Sequence, residues 1–132
     1  MKNTLKEYLF ENKSVGNFEF FIDEDTFIPT QTTTSIINHS RTLINDGDKV
    51  LDLGCGCGIV AIIIANLNNK NFSLYASDIS NTVEEIVNLN AKKHNVKIDV
   101  RRSDIFNAWE GFKFNTIIND ISGVAEEVAK IS

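Results

Sequence analysis

The sequence predicts an α/β domain: an open, mostly parallel sheet with flanking helices. Three observations carry this. From Lys49 onward, short apolar strands alternate with helical stripes. A glycine-rich loop, Gly54-Cys55-Gly56-Cys57-Gly58, joins the first of those strands to the first helix. Four acids, Asp52, Asp78, Asp104 and Asp120, fall at or just beyond the strand ends. In such sheets ligands bind beyond the carboxyl ends of the strands, where strand order reverses.

Leu5, Tyr8 and Leu9 have helical spacing and predict a short N-terminal helix. Val15 to Ile22 is rich in aromatic and β-branched residues and predicts a strand. Asp23-Glu24-Asp25 reads as a turn, followed by an extended piece at Phe27 and Ile28. Pro29 opens a polar loop through Thr34. Ile36, Ile37, Ser40, Leu43 and Ile44 then mark a helix that stops at Asn45-Asp46-Gly47-Asp48.

Val50 to Leu53 is a short strand. Ile59 to Leu67 is apolar on nearly every side and predicts a buried crossover helix, where burial overrides weak β-branched helix propensity. Phe72 to Ala76 gives the second strand, ending at Ser77-Asp78. Val83, Ile86, Val87 and Ala91 form the next helical stripe, with Asn81/Glu84 and Thr82/Glu85 as alternative capping pairs. Val96 to Val100 alternates as a third strand, Phe112 to Ile118 gives a fourth, and Val124 to Ile131 begins another helix.

Composition narrows the function. The chain has 132 residues, enough for one modest core, and 42% of them are hydrophobic. A formal net charge of −5 disfavours tight binding to a bare phosphate backbone. The one basic concentration, Lys92, Lys93, Lys97, Arg101 and Arg102, reads as a solvated helix end and strand start. Cys55 and Cys57, one residue apart, are poorly placed for a mutual disulfide, and their spacing does not suit zinc. With His39 and His94 distant in sequence, no metal site is expected. The first ten residues do not read as a signal peptide, and the Ile59–Ala65 run is too short to span a bilayer. A cytoplasmic protein with no membrane partner is the expectation.

The glycine loop narrows the ligand. A phosphate-binding P-loop needs Lys and then Ser or Thr after its last glycine, whereas Gly58 is followed by Ile59 and Val60. A dinucleotide fingerprint needs G-x-G-x-x-G, and here the third glycine comes one place early. Asp52, just before the loop, would repel a pyrophosphate but can accept hydrogen bonds from an ammonium group. Asp78 is placed to accept both hydroxyls of a ribose, and Asp104 an adenine amine. Ile79 and Ile105 can sandwich a flat base. The expected ligand is a nucleoside bearing an amino-acid group.

Val50-Leu51-Asp52-Leu53-Gly54-Cys55-Gly56-Cys57-Gly58 resembles the first motif of class I S-adenosylmethionine-dependent methyltransferases. Asp78 matches that family's ribose-binding acid, and Asp104 in Ser103-Asp104-Ile105-Phe106 its adenine-binding acid. Phe27 to Thr32 resembles the stretch before the first helix in the small-methyltransferase group, which methylates release-factor glutamine, ribosomal protein L11 and rRNA guanine. The resemblance implies a Rossmann-like sheet of order 3-2-1-4 and S-adenosyl-L-methionine as cofactor. It implies cofactor contacts from Asp52, Gly54, Cys55, Gly56, Gly58, Asp78, Ile79, Asp104 and Ile105. Asp120 falls on the fourth motif and is the candidate catalytic residue, orienting an acceptor amine or taking its proton. There the chain departs from the family: Asp120-Ile121-Ser122-Gly123 lacks the Pro-Pro-aromatic run of the amide-methylating members, and only half resembles the Asn-Ile pair of the L11 enzymes. The methyl acceptor, a protein or an RNA, is therefore left open.

Residues 1–28 are expected as a helix-and-strand extension, and 29–132 as part of the cofactor-binding domain. Class I domains usually carry seven strands, so the chain is expected to be a part of one, ending after strand four. An open fourth strand invites pairing with a second copy. Two rival readings stand beside the enzyme: a non-catalytic cofactor-binding module, and a nicotinamide-dependent oxidoreductase, which the glycine spacing disfavours.

Overall fold

The computed structural model describes residues 5–23 and 29–120. Two strands, β1 (Lys6–Asn12) and β2 (Gly16–Ile22), form an antiparallel hairpin. Helix α1 (Gln31–Ser40) follows. Then β3 (Lys49–Leu53), α2 (Ile59–Leu67), β4 (Ser73–Asp78), α3 (Val83–Lys93), β5 (Asp99–Arg102) and β6 (Thr116–Ile118) complete the order. The last four strands make one all-parallel sheet, ordered β5-β4-β3-β6. Counted from β3, that is 3-2-1-4, as the resemblance implies.

The expected N-terminal helix is instead a strand. Along β1 burial alternates, with Tyr8 and Phe10 turned inward and Leu9 47% exposed, which is the period of a strand. Asn12 closes the hairpin: its side-chain Oδ1 accepts the N–H groups of Ser14 (2.9 Å) and Val15 (3.0 Å).

α1 starts earlier than its apolar stripe suggests. Thr33 Oγ1 accepts the Thr30 N–H at 3.1 Å and anchors the first turn, so Thr32 to Thr34 are helical rather than loop. The helix also stops earlier, leaving Leu43 exposed. β5 begins three residues later than expected, because the chain first closes α3: Asn95 takes φ +56° and the Val96 N–H reaches Ala91 O. β6 keeps only the end of its expected span. Phe112 and Phe114 leave it to pack with Tyr75 and Trp109. Neither capping pair proposed for α3 forms: Thr82 donates to Asp23, and Glu84 accepts the Arg102 N–H. The extended piece at Phe27 and Ile28 and the helix from Val124 lie outside the described residues.

α2 is the centre of the core. Six consecutive residues, Ile59 to Ile64, are buried, each large side chain contributing roughly 1.5–3 kcal/mol. One side of α2 packs on β3 and β4, and α1 packs against it. α3 lies between β5 and the hairpin. Phe10, Phe20 and Ile22 of the hairpin share a single apolar cluster with α2, so hairpin and sheet are built on one core. Asn90, fully buried on α3, ties them together. It accepts the Phe21 N–H (2.7 Å) and donates to Phe21 O and Cys57 O (both 2.9 Å).

Candidate functional site

The carboxyl ends of β3, β4 and β5 open into a cleft of about 310 Å³, within the range of small-molecule sites. Leu53, Gly54, Ser77, Asp78, Ile79, Ser103, Asp104, Ile105 and Asn119 line it. Five sequence candidates therefore converge: Gly54, Asp78, Ile79, Asp104 and Ile105.

Asp78 is the pivot. Its Oδ2 accepts the Gly56 N–H (2.9 Å) and its Oδ1 the Ser80 N–H (3.1 Å). A carboxylate offers about four lone-pair sites, so each oxygen keeps capacity for one more donor. Gly54 has φ +73°, and a side chain there would begin 3.6 Å from Asn119 Oδ1 and intrude on the cleft. Ile79 and Ile105 are each 62% exposed and flank the opening.

Asp52, Cys55, Gly56 and Gly58 do not line the cleft. Asp52 is 1% exposed and its Oδ2 accepts the Ala61 N–H at 3.2 Å, filling an orphan position in the first turn of α2. The protein's own Asp52 carboxyl thus occupies that helix start. Burial raises the Asp52 pKa to about 7; the Ala61 N–H opposes this, and Asp120 and Asp78 add to it. Four of the loop's N–H groups are also spent internally. Gly54 and Cys55 donate to Ser77 O, Gly56 to Asp78 and Gly58 to Cys55 O. Gly58 must be glycine, since φ is +89° and a Cβ would meet Val87 Cγ1 at 3.1 Å. Burial pushes the Cys57 thiol up to about 12 and Cys55 well above its ordinary value, so both stay protonated. Among the described residues no group of three or more His, Cys, Asp or Glu side chains is placed to hold a metal.

Asp120 sits just beyond β6, beside the cleft residue Asn119. Thr33 Oγ1 donates to its Oδ2 at 2.7 Å. Its Oδ1 is buried and has no partner among the described residues. Sequence reasoning missed Thr33, Ser77, Ser103 and Asn119. The last three each adjoin a candidate acid or its loop in sequence; Thr33 was signalled only by its T-x-x-T spacing to Thr30.

Comparison with known proteins fits this geometry. The family model of the methyltransferase small domain matches residues 31–120. The chain belongs to the methyltransferase small domain family. Its matched residues run from the first residue of α1 through Asp120. The release factor glutamine methyltransferase of Dictyoglomus turgidum is 32% identical over 91 residues, covering 67% of this chain and 32% of the relative. The ribosomal protein L11 methyltransferase of Thermotoga neapolitana is 31% identical over 90 residues, covering 68% and 33%. The chain thus spans about a third of these relatives. Among solved structures, the T. thermophilus 16S rRNA N2 methyltransferase in complex with AdoMet and guanosine superimposes with TM-score 0.72 at 14% identity. That match covers 87% of this chain and 32% of the other. The L11 methylase of Lactobacillus delbrueckii gives TM-score 0.61 at 23% identity, covering 83% and 57%. These likenesses show that the chain shares the fold of those structures.

Proposed function

We propose that this small domain binds S-adenosyl-L-methionine and serves methyl transfer to a protein or RNA nitrogen. The observation that carries the reading is the open acceptor capacity of Asp78 in an apolar-walled cleft that is lined by bare backbone at Gly54. That donor and acceptor set fits a nucleoside: Asp78 for ribose hydroxyls, Asp104 for an exocyclic amine, Ile79 and Ile105 for the faces of the base. Relatives named as release factor glutamine and ribosomal protein L11 methyltransferases support the same chemistry.

When bound, S-adenosylmethionine supplies an electrophilic methyl on a good leaving group. The chain's task is alignment, and positioning alone is worth up to roughly 7–11 kcal/mol. Asp52 sets the start of α2, and Cys55, Gly56 and Gly58 shape the loop beside the amino-acid end of the ligand. Asp120, held by Thr33, offers to an acceptor N–H its Oδ1, which has no partner among the described residues. β6 is an edge strand among the described residues, with Ile117 47% exposed, which favours pairing with a further strand, a second copy included. Among the described residues no helix is long and apolar enough to cross a membrane.

Calorimetry tests the reading. S-adenosylmethionine is expected to bind and NADH not to. Binding of NADH alone would replace the methyltransferase reading with the oxidoreductase one. Labelled-methyl transfer to protein and RNA extracts then separates an enzyme from a binding module.

A further inference from the structure

The turn after β5 holds a residue in a conformation its side chain disfavours. Ile105 has φ +51°, a region that β-branched residues almost never occupy. Nothing in the core compensates, since Ile105 is 62% exposed. The backbone around it is instead clamped by polar groups. The Ser103 hydroxyl donates to Ile105 O and accepts the Ala108 N–H, both at 2.9 Å. Ser103 N–H in turn donates to Asp78 O at 2.9 Å, and Asn107 N–H to Asp104 O at 3.1 Å. Across the cleft Ile79 is held similarly, its carbonyl accepting Arg102 Nε–H at 3.0 Å. Both exposed isoleucines are thus fixed through their carbonyls, while their side chains stay at the cleft. Strain of this kind persists only where the surroundings over-determine it, and it concentrates at ligand clamps.

We propose that Ser103 is a positioning residue that holds Ile105 in its strained turn, so that a preset apolar wall grips the flat base of the bound nucleoside. The inference rests on the nucleoside reading of the cleft. It makes the wall a specificity element: stability is given up in the free protein so that no ordering is needed on binding.

The test uses the full chain, with S-adenosylmethionine and adenosine as probes. Ile105→Asn replaces the strained residue with one that accepts positive φ. The melting temperature is expected to rise, by about 4 °C, while affinity for both probes falls about tenfold. A merely structural residue would not move the two readouts in opposite directions. Ser103→Ala is expected to lower both melting temperature and affinity, and Ser103→Thr, which keeps the hydroxyl, to restore both; unchanged affinity in Ser103→Ala, or lost affinity in Ser103→Thr, overturns the role of Ser103. A lower melting temperature in Ile105→Asn, or a higher one with unchanged affinity, overturns the proposal. If the unaltered chain binds neither probe, the nucleoside reading itself fails, which is a distinct result.

Discussion

Asp52 and Asp78 stand on neighbouring parallel strands and look alike in sequence, each an acid near a strand end beside the same glycine loop. The fold gives them opposite work. Asp52 lies one residue inside the end of β3, pairs in register with Ala76, and turns inward to the first turn of α2. Asp78 is the last residue of β4 and reaches the cleft, supporting Gly56 with acceptor capacity to spare. A step of two residues along the strand axis separates a buried carboxyl from a cleft-facing one. The loop between them serves both: its glycines let the chain turn tightly enough for one acid to lie beneath and the other beside it.

This contrast can be broken in several ways. The largest effect is expected in the buried half. Gly58→Ala should cost about 1–3 kcal/mol from crowding Val87 and Ile62, on top of a left-handed backbone penalty of about 1–2 kcal/mol. Chemical denaturation checks this, and an unchanged midpoint would mean that the loop is not constrained as described.

A second test is pH. The Asp52 carboxyl titrates near 7 in the folded protein and near 3.8 when unfolded. Between those values the folded chain holds the extra proton. The stabilisation is therefore full below about pH 4 and is lost as pH rises through 7. Unfolding free energy should fall by up to about 1.4 kcal/mol per pH unit across that window, and Asp52→Asn should abolish this share of the slope.

In the exposed half, Asp78→Ala should weaken S-adenosylmethionine binding about ten- to a hundredfold, or roughly 1.4–2.7 kcal/mol, while Asp52→Asn weakens it much less. Equal losses by calorimetry would erase the distinction between the two acids. The smallest effect is Thr33→Val, which removes the hydrogen bonds to Thr30 and Asp120 and should cost about 1–2 kcal/mol. Thr33→Ser should restore most of it in denaturation experiments.

The sheet was legible in the sequence because parallel strands and a fully buried helix leave continuous apolar runs, as at Val50–Leu53 and Ile59–Ile64. The glycine loop was legible because three glycines in five residues have no other physical use. The N-terminal hairpin was not: Leu5, Tyr8 and Leu9 fit helical spacing, while the strand is decided by pairing with β2, a tertiary contact invisible locally. Within the site, residue type located the cleft but not the direction of each side chain. Asp52 was read as facing a ligand; its Oδ2 turns to the Ala61 N–H of α2, a tertiary contact that residue type does not announce. Ser103 was passed over since a lone serine carries no signal until the turn it clamps is known.

The central claim is that strand-end residues at 54, 78, 79, 104 and 105 form one nucleoside cleft. Amide chemical-shift mapping on addition of S-adenosylhomocysteine tests it most directly. The largest shifts are predicted at Gly54, Asp78, Ile79, Asp104 and Ile105, with the hairpin residues of β1 nearly unmoved. Saturable shifts concentrated elsewhere, or none at all, would contradict it.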